Sequence, residues 1–160
     1  MTEENQIKER GPSPLGCSII IILVLFIVII VFFTWFSPWY YGKSARVMAT
    51  KTIHAQTIKY IKSEYDKCRN GETLIMNNTL KCSDMDSKSL IQAALNTMTD
   101  KNPHHPDHPN AHRTSSSNTN DEDVGYVSLS ASGSNIIIKT CIKTPCKKEE
   151  NRLQTSIKVK

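Results

Sequence analysis

An apolar run near the start constrains this chain more than any other feature. From Ile19 to Phe36, eighteen positions hold Ile, Leu, Val, Phe or Trp, with Thr34 as the single exception. No Asp, Glu, Lys or Arg occurs from Cys17 to Gly42. Coiled as a helix, such a run rises ~27 Å at ~1.5 Å per residue, close to the ~30 Å hydrocarbon layer of a bilayer. Mean hydropathy over the whole chain is nevertheless negative, so the apolar character is concentrated in this segment. It reads as a membrane helix over residues 17–42. A secretory signal peptide has a shorter apolar stretch, ~7–15 residues, followed by a small-residue cleavage site. Here Trp35, Phe36, Trp39 and Tyr40 follow instead, and amphipathic rings suit a membrane interface.

Orientation is read from the sulfurs, not the charges. Lys8 and Arg10 precede the run, while Lys43, Arg46 and Lys51 follow it, so the positive-inside rule does not decide. Four cysteines, Cys68, Cys82, Cys141 and Cys146, lie beyond the run in fewer than 120 residues. An even set in a small domain points to an oxidising compartment, since cytosolic thiols are kept reduced. Residues 1–16 then form a polar cytoplasmic leader, and residues 43–160 face outward. Leu15-Gly16-Cys17 is not a lipoprotein box, because the apolar segment follows the cysteine. Its place beside the helix leaves Cys17 a small residue at the membrane entry or a palmitoylation site.

Eighteen basic and twelve acidic side chains follow residue 42, a surplus of six. Apart from Lys147-Lys148 and the Lys158/Lys160 tail the surplus is spread, with few interleaved aromatics. Nucleic-acid grooves combine clustered charge with stacking rings, so no nucleic-acid partner is expected.

Along the chain, Pro38 lacks an N–H and its ring opposes the carbonyl four residues back, so it should kink or end the first helical segment. Helical signals resume from Ser44 to about Cys68, where Ile58, Ile61, Tyr65 and Cys68 line one stripe. Asn70-Gly71 ends that helix. Asp86 or Ser87 caps a short second helix reaching Met98, with Leu90, Ile91, Ala94, Leu95 and Met98 on one face. Residues 100–123 lack apolar periodicity and read as a long mobile loop. Tyr126–Ser132, Asn135–Ile142 and Leu153–Val159 alternate as strands. The expected fold is α+β. A long N-terminal membrane helix continues into a small domain with a short second helix and a three-stranded antiparallel sheet. One apolar face of that sheet covers the helix stripe.

Four cysteines allow three pairings. Sequential pairing, Cys68–Cys82 and Cys141–Cys146, clips the helix end to the following loop and closes a tight turn at Pro145. On the chain-entropy model a ~15-residue loop gains about 3 kcal/mol, which is large beside the ~3–5 kcal/mol a core of this size supplies. Cys141 and Cys146 have four residues between them, not the two of a redox motif.

The hydrophilic leader ending in Gly16, the uninterrupted apolar helix, and Pro38 with Tyr40 resemble type IV pilins and type II secretion pseudopilins. Val124-Gly125-Tyr126-Val127-Ser128-Leu129-Ser130 and Cys141…Pro145-Cys146 are similar to the sheet and disulfide loop of that family. The resemblance implies cleavage between Gly16 and Cys17, and a helix kink at Pro38. It also implies assembly through the apolar helix with like or related subunits and an assembly machinery. The setting would be a single-pass protein of the bacterial inner membrane, its N-terminus cytoplasmic and its C-terminal domain periplasmic or extracellular. Position 21 is Ile where pilins carry Glu. The alternative is a single-pass, membrane-anchored extracytoplasmic binding module that is neither cleaved nor polymerised.

Pro103-His104-His105-Pro106-Asp107-His108-Pro109, with His112, is the one chemically loaded cluster. Imidazoles and a carboxylate ligate divalent transition metals, and imidazoles also change charge near neutral pH. The prolines favour an extended segment that spreads the rings, so a solvated loop competes with a metal site at His104, His105, His108 and His112. Asp121-Glu122-Asp123, with Asn118 and Asn120, does not fit the spacing of a calcium loop. Asn77-Asn78-Thr79 is a glycosylation sequon, and His54 reads as a boundary residue of the long helix. No Ser/His/Asp order, carboxylate pair or phosphate-cradling glycine loop is present, so the chain reads as a non-enzyme with no required cofactor.

Overall fold

The computed structural model describes residues 14–108, 110–115 and 117–159, with the side chains of 14–20 and 35–41 excepted. The chain divides into two units, residues 1–42 and 43–160. Helix α1 runs Pro14–Arg69, its assignment unbroken through Pro38. Gly16, Cys17 and Pro38 belong to it, but their side chains lie outside the described residues.

Within the second unit, α1 ends where Asn70 and Gly71 turn back onto the carbonyls of Asp66, Lys67 and Cys68. A short ribbon follows, β1 (Leu74–Ile75) antiparallel to β2 (Leu80–Lys81). Helix α2 (Ser87–Thr97) starts at a reciprocal cap: Asp86 Oδ1 accepts from the Ser89 amide at 2.6 Å, and Ser89 Oγ accepts from the Asp86 amide at 2.9 Å. Two otherwise orphaned donors are thus satisfied where the helix begins. Leu90, Ile91 and Ala94 bury its apolar face.

The main sheet has four strands in the order β3 (His112–Thr114), β4 (Val127–Ser132), β5 (Asn135–Cys141) and β6 (Arg152–Lys158). Strand β4 pairs antiparallel with β5 through a two-residue Gly133-Ser134 turn, and β5 pairs antiparallel with β6. Strand β3 is parallel to β4, with His112 opposite Val127 and Thr114 opposite Leu129. Period-two burial sets the core face: Val127, Leu129, Ile136 and Ile138 point inward and pack with Ile61 and Leu90.

Two parts of the expected fold are overturned. The sheet is four-stranded with a parallel edge, beside a separate two-stranded ribbon, not a three-stranded antiparallel sheet. Strand β3 escapes a pattern reading because His-Arg-Thr carries no apolar alternation and a parallel pair needs a distant partner. The long apolar membrane helix is overturned as well. Among the described residues no helix is long and apolar enough to cross a membrane.

Candidate functional site

In the first unit, every side chain from Ile21 to Phe33 is exposed, each between 50 and 64 %. Thr34, the one polar side chain described there, satisfies its hydroxyl inside the helix by donating to the carbonyls of Ile30 (2.9 Å) and Val31 (3.1 Å). Nothing on this surface therefore asks for water. A soluble monomer rarely exposes an apolar patch beyond a few hundred Å² unless it meets a partner or lipid.

In the second unit, the stripe of α1 against the sheet is half polar. Thr50, Ile53, His54, Thr57, Ile61 and Glu64 are buried, a spacing of three and four that keeps them on one face. Of the stripe expected from sequence, Ile61 is fully buried, while Ile58, Tyr65 and Cys68 are half-buried at its margin. His54 lies with Nδ1 2.9 Å from Thr140 Oγ1 on β5 and Nε2 3.3 Å from Thr155 Oγ1 on β6. Rather than marking a boundary, it pins the helix across two strands. Thr57 Oγ1 donates to the Ile53 carbonyl and stands 2.9 Å from His112 Nε2 on β3. Glu64 accepts from the Met76 amide at 2.5 Å and from Lys67 Nζ at 2.5 Å. Met76, Asn77 and Asn78 all have positive φ, so this carboxylate anchors the start of a left-handed turn that carries the sequon.

Burial holds the imidazoles of His54 and His112 below their ordinary value of 6.5; for His112, Asp100 at 3.9 Å opposes the shift. Around that value the unfolded chain takes up protons that the folded seam still refuses, so acid favours unfolding. Thermal stability of residues 43–160 is expected to be level above about pH 7 and to fall as pH drops through 6.5. A melting series in pH checks this, and His54→Gln should flatten the slope.

Residues 100–126 are tied to the sheet by two buried asparagines. Asn102 donates from Nδ2 to the Val124 carbonyl at 3.0 Å and accepts the His104 amide at 2.8 Å. Asn118 donates from Nδ2 to the carbonyls of Tyr126 and Lys139, both at 3.0 Å, and its Oδ1 accepts from Ser128 Oγ and Arg113. Two of the three acidic residues, Asp121 and Asp123, are used internally. Asp123 pairs with Arg113 and accepts the Asn120 amide, while Asp121 accepts the Cys146 amide at 2.7 Å. Glu122 is exposed.

The four loop histidines separate. Buried in the seam, His112 leaves the cluster. His104 turns inward, its Nε2 buried without a partner; burial first, then Arg46 and His105, hold its imidazole below the ordinary value against a hydrogen bond to the Ile142 carbonyl. His105 and His108 stay together, ring centroids 5.6 Å apart. The expected extended segment is instead folded. The His105 amide donates to the Asn102 carbonyl and the His108 amide to the His105 carbonyl, two successive turns that stack i and i+3 side chains. Among the described residues no group of three or more His, Cys, Asp or Glu converges as for a metal ion.

The cysteines pair Cys68–Cys82 and Cys141–Cys146. The second pair is fully buried beside Val124. With fourteen residues of separation, opening Cys68–Cys82 by double serine substitution is expected to cost about 3 kcal/mol in denaturant unfolding. Comparison with family models, with curated proteins and with solved structures finds no match.

Proposed function

We propose that this chain is a pilin-like or pseudopilin-like structural subunit of a type IV pilus or type II secretion filament. The observation that carries this reading is the uninterrupted apolar sleeve, Ile21 to Phe33, on the same helix whose later turns bear a disulfide-stapled domain. In a filament, like helices from neighbouring subunits cover the exposed sleeve. Dispersion packing between facing side chains, with the apolar area taken from water, holds such a bundle together. The domain, on the periplasmic or extracellular side, sets what the filament touches, and its disulfides suit that oxidising side. No chemistry is assigned to it. Its partners are like or related subunits and an assembly machinery.

One observation favours the second reading, an extracytoplasmic module that is neither cleaved nor polymerised. Ile21 stands where a pilin glutamate would meet the neighbouring subunit's amino terminus. Intact mass of the chain from a host with a prepilin peptidase, and from the same host without it, separates the two. The filament reading expects residues 1–16 to be missing only in the first host. A full-length mass in both contradicts it.

A further inference from the structure

We infer that His105 and His108 form a two-imidazole site for a divalent transition ion, copper(II) above all. The inference stands apart from the filament reading. Two imidazoles sharing an ion at ~2.0–2.1 Å per nitrogen have ring centres roughly 4.5–6.5 Å apart, depending on the angle between them, and these stand at 5.6 Å. Their planes are now 79° apart, edge to face. His108 is exposed and His105 half-buried, so rotation about χ2 is what turns a nitrogen of each toward a shared point.

Several features hold the pair in place before any ion arrives. One turn, the His108 amide donating to the His105 carbonyl, fixes the backbone between them, and the turn before it, from the His105 amide to the Asn102 carbonyl, sets its start. Asn102, fully buried, anchors the segment's start, and Asn110 fastens its end by donating to the Met98 carbonyl at 3.1 Å. Tyr126 gives both rings a wall, stacked on His105 at 6.3 Å and edge-on to His108 at 6.0 Å. Arg113 lies 4.3 Å from the same tyrosine ring, but its charge is met by Asp123. Asp107, exposed between the two histidines, adds a negative charge nearby. Two nitrogens with solvent in the remaining positions suit copper(II) best, since it tops the divalent affinity order and accepts tetragonal nitrogen–oxygen sets.

The test titrates copper(II) into the full-length chain in detergent micelles, read by calorimetry and electron paramagnetic resonance. One equivalent is expected to bind with hyperfine structure from two nitrogens. His105→Ala and His108→Ala should each weaken it by on the order of tenfold, and the double variant should abolish it. His105→Asn and His108→Asn repeat the test should an alanine variant lose its circular dichroism. Binding unchanged in the double variants, or no stoichiometric binding to the unaltered chain, would overturn the inference.

Discussion

Gly125→Ala is expected to lower the stability of the folded domain by about 3–5 kcal/mol. The residue sits at φ +81°, where a Cβ costs ~1–2 kcal/mol by itself. A Cβ built there collides with Asn102 Oδ1. Asn102 has no room to yield: it is fully buried, donating to the Val124 carbonyl and accepting the His104 amide. Pushing it aside leaves those groups buried without partners, at ~1–3 kcal/mol each. Gly133→Ala is the control. Its φ is +57°, but nothing lies within 4 Å of the added carbon, so only the backbone cost of about 1–2 kcal/mol is expected. Urea unfolding followed by circular dichroism distinguishes the two. Equal losses would mean that backbone conformation alone sets the cost and that the Asn102 clasp is weak.

Asn118→Ala should be comparably severe, about 3–5 kcal/mol. Its amide nitrogen donates to the carbonyls of Tyr126 and Lys139, joining the approach to β4 with β5. Truncation strands both carbonyls, and it also takes the acceptor from the fully buried Ser128 hydroxyl. Unpaired groups in a low-dielectric interior carry their full desolvation cost. Hydrogen exchange at the amides of β4 and β5 should rise in the variant before global unfolding. A loss under 1 kcal/mol would show that water reaches these groups.

How far the fold could be read in advance differs by element. Strands β4, β5 and β6 lie where period-two alternation placed them: Val127, Leu129, Ile136 and Ile138 are buried, and Leu153, Thr155 and Ile157 of β6 are half-buried. Helix α2 begins at Ser87 with Asp86 as its cap, one of the two residues the sequence offered for that place. The seam was hidden. His54 and Thr57 share the helical spacing of a core stripe, yet a hydropathy count passes over them since their burial goes with partners Thr140, Thr155 and His112, all far off in sequence. Strand β3 was illegible for the same reason. The Pro- and His-rich stretch looked like a solvated loop because its order comes from buried asparagines, whose side chains replace the apolar contacts a pattern search detects. There, turns brought His105 and His108 together while burial drew His104 and His112 away.

The filament reading rests on what covers Ile21 to Phe33 in the cell. The most direct test places a photocrosslinking amino acid at Ile29, in the exposed run, and irradiates intact bacteria. A ladder of adducts between this chain and like or related subunits, recovered in the sheared-filament fraction, is the expected result. Adducts to lipid alone, with the chain absent from that fraction, would contradict the account.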